Sequence, residues 1–359
     1  MMILEIGFDP LLRDAYPDEV IWIDTSLRWD DARSYQKKRG ALLSRIMHLG
    51  GQAAKALSLA FSQPYSVVVA RCLSTANTLG QSWVVRFSRA VLRWGFEMLI
   101  LFAARGAKVK LVIVDAADRI SIHPRDRRLF ERCNLYFKRE LAQNLWHSLE
   151  SILPQGACPG AMSATAQGAQ MIEKLWPIPL GISADKIRAA KPMQARRWDI
   201  FYSGTEAHIP ARKALPKVLA ELEQRGWKIC LPKERLSYED YMDTLAESRF
   251  CCSPSGIGWD CHRHYECLSQ GAIPLFDHRA IIQSHTLRDA RECFYLDYQA
   301  DLVSQMEHVL RIDSAELDGI AKAGQEVLRE HLTFQATAKK MYAMIQSLNH
   351  VHGNSVATT

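Results

Sequence analysis

Short apolar runs alternate with longer stretches of helical periodicity along most of this chain. Residues 3–8 and 20–24 read as strands, followed by a helical region from Asp31 to about Phe61 in which Gly50-Gly51 predicts a break or kink. Residues 65–70 form a β-branched strand, residues 81–105 a helix capped by Gly106, and residues 109–114 another buried strand. Residues 153–163, rich in proline, glycine and small side chains, read as a loop. Residues 176–182 read as an extended passage, because neither of their prolines fits a helix interior.

The alternation then resumes. Strands are expected at 199–202 and 227–231, helices at 210–225 and 238–248, a last strand at 293–296, and two helices from about Leu302 and Ser314. A closing helix over 334–348 is expected to return to the N-terminal domain, ahead of a small, polar, frayed tail at 350–359. Strands separated by helices predict parallel sheets with right-handed crossovers. At 359 residues the chain is too long for one ordinary core. The expected division is an N-terminal Rossmann-like domain over 1–190, a C-terminal domain over 191–335 and a returning helix with its tail over 336–359.

Charge changes this picture in one respect. Residues 1–180 hold 23 Lys+Arg against 16 Asp+Glu, whereas residues 181–359 hold 22 against 23. The basic half suits an anionic partner, whether acidic glycan, membrane surface or nucleic acid, and equally a merely solvated face. Nine cysteines with no Cys-x-x-Cys spacing argue for a reducing compartment rather than a disulfide framework. The N-terminus shows no signal-peptide pattern, and the most apolar segment, 98–104, is too short to span a bilayer. The expectation from these features is a cytoplasmic protein, with peripheral membrane contact as an open reading. Trp83, Trp94 and Phe96 lie in helical patterns and are expected in the core.

The densest chemistry lies in residues 250–276, which read as strand, glycine loop, helix and strand. Ser253, Ser255, Gly256, Gly258, Asp260, His262, Arg263 and Glu266 cluster in the loop and first helical turns. Glycines allow close backbone approach to phosphate oxygens, and free N–H groups at a helix start favour anions. Arg263 offers a bidentate grip on a diphosphate, and Glu266, three residues on, shares its helix face and suits ribose hydroxyls. The plainer reading makes Asp260 an N-cap, Arg263 a surface residue and Glu266 its ion-pair partner.

The run Ser-Pro-Ser-Gly-Ile-Gly-Trp-Asp-Cys-His-Arg-His-Tyr-Glu, closed by Gly-Ala-Ile-Pro, resembles the nucleotide-sugar-binding block of exostosin-like and group 1-like glycosyltransferases. The resemblance implies an α/β architecture of two Rossmann-like (GT-B) domains facing across a cleft. It also implies that Arg263 binds the donor diphosphate, Glu266 the ribose, and that Ser203 and Gly204 line the cleft opposite. Ser255 stands where that pattern commonly has arginine, so one phosphate contact is missing or comes from elsewhere.

A second constellation holds Asp115 and Asp118 beyond a strand, with Lys138 and Arg139 beyond another. Similar segments occur on the acceptor side of related transferases. One aspartate is a candidate general base, with Lys138 or Arg139 offsetting leaving-group charge. The plainer reading makes Asp118 a turn residue and puts Lys138, Arg139 and Glu140 on the surface. His262 and His264, two apart on a helix, make a poor metal pair. His208, after a strand at the cleft, is the better outlying histidine. The expected function is transfer of a sugar from a nucleotide-diphosphate donor (UDP or GDP type, a co-substrate with no tightly bound cofactor or metal) to a hydroxyl-bearing or anionic acceptor. The alternatives are a non-catalytic nucleotide- or glycan-binding protein, or a transferase acting on nucleic acid.

Overall fold

The computed structural model describes residues 1–7, 10–24, 39–62, 64–72, 83–106, 108–153, 159–204 and 209–350. Two all-parallel sheets organise them. The first holds β1 (Ile3–Gly7), β2 (Val20–Asp24), β3 (Val67–Arg71), β4 (Lys110–Asp115), β5 (Leu135–Lys138) and β6 (Leu175–Pro177), in the order β2-β1-β3-β4-β5-β6. The second holds β7 (Trp198–Phe201), β8 (Ile229–Cys230), β9 (Ser248–Cys252), β10 (Ile273–Phe276) and β11 (Phe294–Tyr295), in the order β11-β10-β9-β7-β8. Both sheets put their own first strand between their second and third. That switch point opens a crevice at the carboxyl ends of the strands, where loops diverge to opposite sides.

Helices cover both faces, so strands such as β1 and β10 are buried along their whole length and read as continuous apolar runs. On the first sheet, α1 (Arg39–Ser62) and α2 (Trp83–Ala103) supply Ala56, Ala60, Leu99, Ile100 and Ala103 to one core layer. Short helices α3 (Arg127–Arg132), α4 (Leu145–Leu149), α5 (Pro159–Ser163) and α6 (Ala166–Glu173) follow around its edge. The second sheet carries α7 (Pro210–Gln224), α8 (Tyr238–Ala246), α9 (His262–Ser269), α10 (Leu302–Leu310) and α11 (Ser314–Val327). The last helix, α12 (Phe334–His350), packs Met341, Tyr342 and Ile345 against Ile3, Val67, Val112 and Phe137 of the first sheet.

Several expectations are corrected. α1 runs unbroken through Gly50 and Gly51, because burying its apolar stripe against the sheet outweighs a glycine penalty of roughly 1 kcal/mol each. The extended passage expected at 176–182 starts inside edge strand β6, paired to β5, where an edge position tolerates Pro177. Part of the expected loop at 153–163 is the short helix α5. Trp94, expected in the core, is 60% exposed, whereas Phe96 two residues on is buried. The side chain of Trp83 and the expected helix start at 31–38 lie outside the described residues. No helix among the described residues is long and apolar enough to cross a membrane.

The two halves meet directly. Ile282 N donates to Leu141 O at 2.7 Å, Ala142 and Ile281 form an antiparallel bridge, and Gln143 Nε2 donates to Arg279 O at 2.8 Å. A strip of the first half, following β5, is thereby laid along the loop that follows β10.

Candidate active site

The crevice of the second sheet lies between the ends of β7 and β9, the switch point of its strand order. β9 delivers Ser253, which is fully buried and sits 2.7 Å from His264 Nδ1. His264 Nε2 lies 2.7 Å from the carbonyl of Trp259. A carbonyl only accepts, so Nε2 carries the proton and Nδ1 accepts from the serine hydroxyl. Burial holds this imidazole below its ordinary pKa, against the pull of Asp260. Ser253 and His264 therefore bolt α9 to β9 from beneath.

Above them, the backbone N–H groups expected to receive phosphate are largely occupied by protein. Ser255 N and Oγ donate to the two oxygens of Asp277, at 3.0 and 2.5 Å. Gly256 N donates to Gly258 O at 2.8 Å. Trp259 N and Asp260 N each donate to Glu140 of the first half, at 2.9 and 2.9 Å. Asp260 is not the N-cap of α9; Cys261 holds that position and makes no side-chain cap bond. The buried Asp260 carboxyl instead accepts from Leu180 N at 2.7 Å and Tyr265 Oη at 2.5 Å, tying the loop to the segment after β6. Burial raises its pKa, with the Tyr265 bond opposing.

Side chains, rather than loop N–H groups, offer the open donors. Arg263 reaches back from the first turn of α9 to the end of β7, where Nη2 donates to Ser203 O at 2.8 Å. Its guanidinium carbon lies 5.3 Å from the Tyr202 ring centroid. Nε and Nη1 are buried and, among the described residues, have no hydrogen-bond partner. A Cβ on Gly204 would lie 2.8 Å from Arg263 Nη2, so only glycine leaves this approach open. The plainer sequence reading of Arg263 as a surface residue is thus corrected.

Arg212, on α7, was not singled out by the sequence. Its Nε donates to Ser255 O at 2.9 Å, and its Nη2 lies 2.9 Å from where a Gly256 Cβ would stand. It brings a cation to the very loop position where the resembled family commonly has arginine. Asp277 was also missed, although its place directly after β10 is the strand-end signal that could have found it. Glu266 is half-buried; burial raises its pKa, and its neighbours His262, Tyr241 and Arg263 oppose that shift. His262 is exposed, and His208 lies outside the described residues.

In the first half, Asp115 and Asp118 part company. Asp115 is 2% exposed, and its carboxylate accepts from Lys138 Nζ, Tyr136 Oη and Ala117 N, each at 3.0 Å. Asp118 is exposed and pairs with Arg139. Lys138, Arg139 and Glu140, read plainly as surface residues, are all buried; Lys138 is wholly so. β5, an interior strand flanked by β4 and β6, carries Lys138 inward, and Arg139 and Glu140 follow directly after it. Nearby, Arg93 Nη2 pairs with Asp126 at 2.5 Å, and burial lifts that carboxyl to about 6 despite the arginine.

Between the halves lies a cleft of about 700 Å³, lined by Asp118, Ile120 and Glu140 on one side and Gly256, Ile257 and Trp259 on the other. Ile257, at the tip of the glycine loop, is 86% exposed. Among the described residues no cluster of His, Cys, Asp and Glu could hold a metal ion.

No family model and no curated protein sequence matches the chain. Solved structures do. HepE of Anabaena in complex with UDP superposes with a TM-score of 0.53 at 11% identity, covering 97% of this chain and 100% of that one. Sucrose-phosphate synthase of Thermosynechococcus elongatus gives 0.52 at 9% identity, covering 98% and 100%. A glycosyltransferase of Rickettsia africae gives 0.51 at 10% identity, covering 96% and 90%. At such identities the likeness bears on architecture, and that architecture is the GT-B fold of glycosyltransferases, two parallel α/β sheets facing across a cleft.

Proposed function

We propose that this protein is a glycosyltransferase that moves a sugar from a nucleoside-diphosphate donor to an acceptor hydroxyl. One observation carries the reading: the Arg263 guanidinium lies at the switch point of the second sheet, its Nε and Nη1 buried and without a hydrogen-bond partner among the described residues, while Gly204 leaves room beside its Nη2. An unpaired buried cation of this kind is costly unless an anion completes it. A diphosphate supplies charge and acceptor oxygens together. Arg212 adds a second cation across the loop, and Glu266 the carboxylate for the ribose. HepE, crystallised with UDP, supports a UDP donor.

The reaction follows from these positions. The acceptor oxygen bonds to the anomeric carbon as the bond from that carbon to the diphosphate breaks. The departing negative charge collects on the diphosphate, where Arg263 and Arg212 stabilise it. The acceptor proton passes to a carboxylate at the cleft, and Asp118 takes this role because it is exposed and lines the cleft, although paired with Arg139, whereas Asp115 is buried and held by Lys138 and Tyr136. Lys138 acts on Asp115 rather than on the leaving group. This reading divides the chain into an acceptor-side domain over 1–190, a donor domain over 191–335 and the returning helix after it.

Titration calorimetry with UDP, followed by a turnover screen of UDP- and GDP-sugars, tests the reading. Arg263→Ala is expected to weaken UDP binding by roughly 10–100-fold, the scale of lost charge-assisted hydrogen bonds, without unfolding the chain. Glu266→Gln is expected to weaken it less, by roughly tenfold or below. Unchanged nucleotide affinity in both variants refutes the site, and tight UDP binding without transfer to any acceptor favours the non-catalytic reading.

A further inference from the structure

Glu140 belongs to the first half, yet its carboxylate fills the N–H pair at the end of the glycine loop in the second. Both oxygens are used, on Trp259 N and Asp260 N, and the residue is 1% exposed. The fit extends to the backbone: a Cβ on Gly258 would lie 2.3 Å from Glu140 Oε1. Two neighbouring contacts point the same way, since Leu141 and Ala142 pair with residues 281–282. Burying a carboxylate is expensive; two charge-assisted bonds from N–H groups ahead of a helix stabilise it there, with Arg139 Nε 3.8 Å away adding its charge.

Resting on the glycosyltransferase reading, we infer that Glu140 is a positioning residue that sets the glycine loop from the acceptor side. The groups assigned to the donor, Arg263, Arg212 and Glu266, all sit in the second half, on α9 and α7. Among the described residues Glu140 makes no hydrogen bond or ion pair to Arg263, Arg212 or Glu266. It touches the loop whose tip, Ile257, faces the cleft together with Asp118 and Ile120. It therefore fixes how the donor's reactive end is presented to the acceptor, and leaves the grip on the nucleotide alone. Removing it uncouples transfer from binding. An error of about 1 Å in presentation is enough to cost roughly 100-fold in rate.

Hydrogen exchange on the full chain tests this without needing activity. In Glu140→Gln, an NH2 group replaces one acceptor oxygen, so one of the two backbone N–H groups faces a donor and loses its acceptor. Exchange in peptides covering 255–260 is expected to rise roughly tenfold or more, while α9 and β10 keep their protection. Glu140→Asp, which keeps the charge but falls short by one methylene, is expected to give an intermediate rise and serves if the glutamine variant fails to fold. Unchanged exchange at 255–260 in the folded variants overturns the inference, as does an even rise throughout 199–276, which marks general loosening.

UDP titration and transfer kinetics supply the second readout. UDP affinity is expected to stay within roughly threefold of the parent while transfer kcat falls roughly tenfold or more. A tenfold loss of UDP affinity places Glu140 in the donor grip and overturns the inference. If the parent itself binds no UDP, the glycosyltransferase reading fails, and the exchange result still decides whether Glu140 sets the loop.

Discussion

The two halves repeat one strand order and use their charges in opposite ways. In the first, Asp115 and Lys138 are buried against each other, with Tyr136 completing the carboxylate. In the second, Arg263 is half-buried, and two of its nitrogens are buried without a partner among the described residues. A saturated ion pair has little left to offer a ligand, so it acts within the fold. An unsaturated buried cation points outward to chemistry. The sequence presents them alike as charged residues, Asp115 and Lys138 at strand ends and Arg263 in the first turn of a helix, and the difference lies in what else reaches them.

Breaking the closed side is the largest expected effect. Lys138→Met leaves the Asp115 charge buried without its cation and is expected to destabilise the fold by about 3–5 kcal/mol. Replacing both partners, Lys138→Met with Asp115→Leu, is expected to recover most of that loss, as judged by denaturant unfolding. A Lys138→Met protein as stable as the parent would erase the contrast with Arg263→Ala, whose expected cost falls on UDP binding.

The support beneath the open side is sharpened by pH. Burial lowers the folded-state pKa of His264 below 6.5. The native state therefore holds fewer protons than the unfolded chain between the two values, so its stability contribution is complete above pH 6.5 and is lost as pH falls through the folded value. Protonation also takes Nδ1 away from the Ser253 hydroxyl. The thermal midpoint of the parent is expected to drop more between pH 7 and pH 5 than that of His264→Gln, referenced to the general acid response that both share. Equal drops would remove His264 from the account.

Glycines give the smallest effect and the cleanest contrast. A Cβ at Gly50 meets nothing within 4 Å, so Gly50→Ala is expected to stabilise α1 by about 0.5–1 kcal/mol. At Gly258 the same methyl runs into Glu140, so Gly258→Ala is expected to destabilise and to raise exchange across 255–260. Melting curves of the two variants should move in opposite directions.

How much of this was legible beforehand depends on whether a feature is local. Strand β2 and helices α7, α8 and α12 could be read from periodicity, because burial of one stripe or run is a property of neighbouring residues. Arg263 and Glu266 could be placed on one helix face for the same reason. Glu140 could not be read, because its partners lie 119 and 120 residues away. Arg212 could not either, since its contact with Ser255 is 43 residues removed. The N–H groups of the glycine loop looked free because a sequence shows donors without showing which acceptors fold onto them.

By itself, then, the sequence determined the alternation of strand and helix, the paired α/β halves and the cluster of glycine, serine and charged residues in residues 250–276. Side-chain spacing and backbone chemistry encode those locally. Tertiary structure alone decided which charges close on one another and which stay open. That choice turns on desolvation, which depends on everything packed around a group rather than on its neighbours in the chain. Asp115 was closed by Lys138, the loop N–H groups were closed by Glu140 and Asp277, and Arg263 was left open at the end of β7.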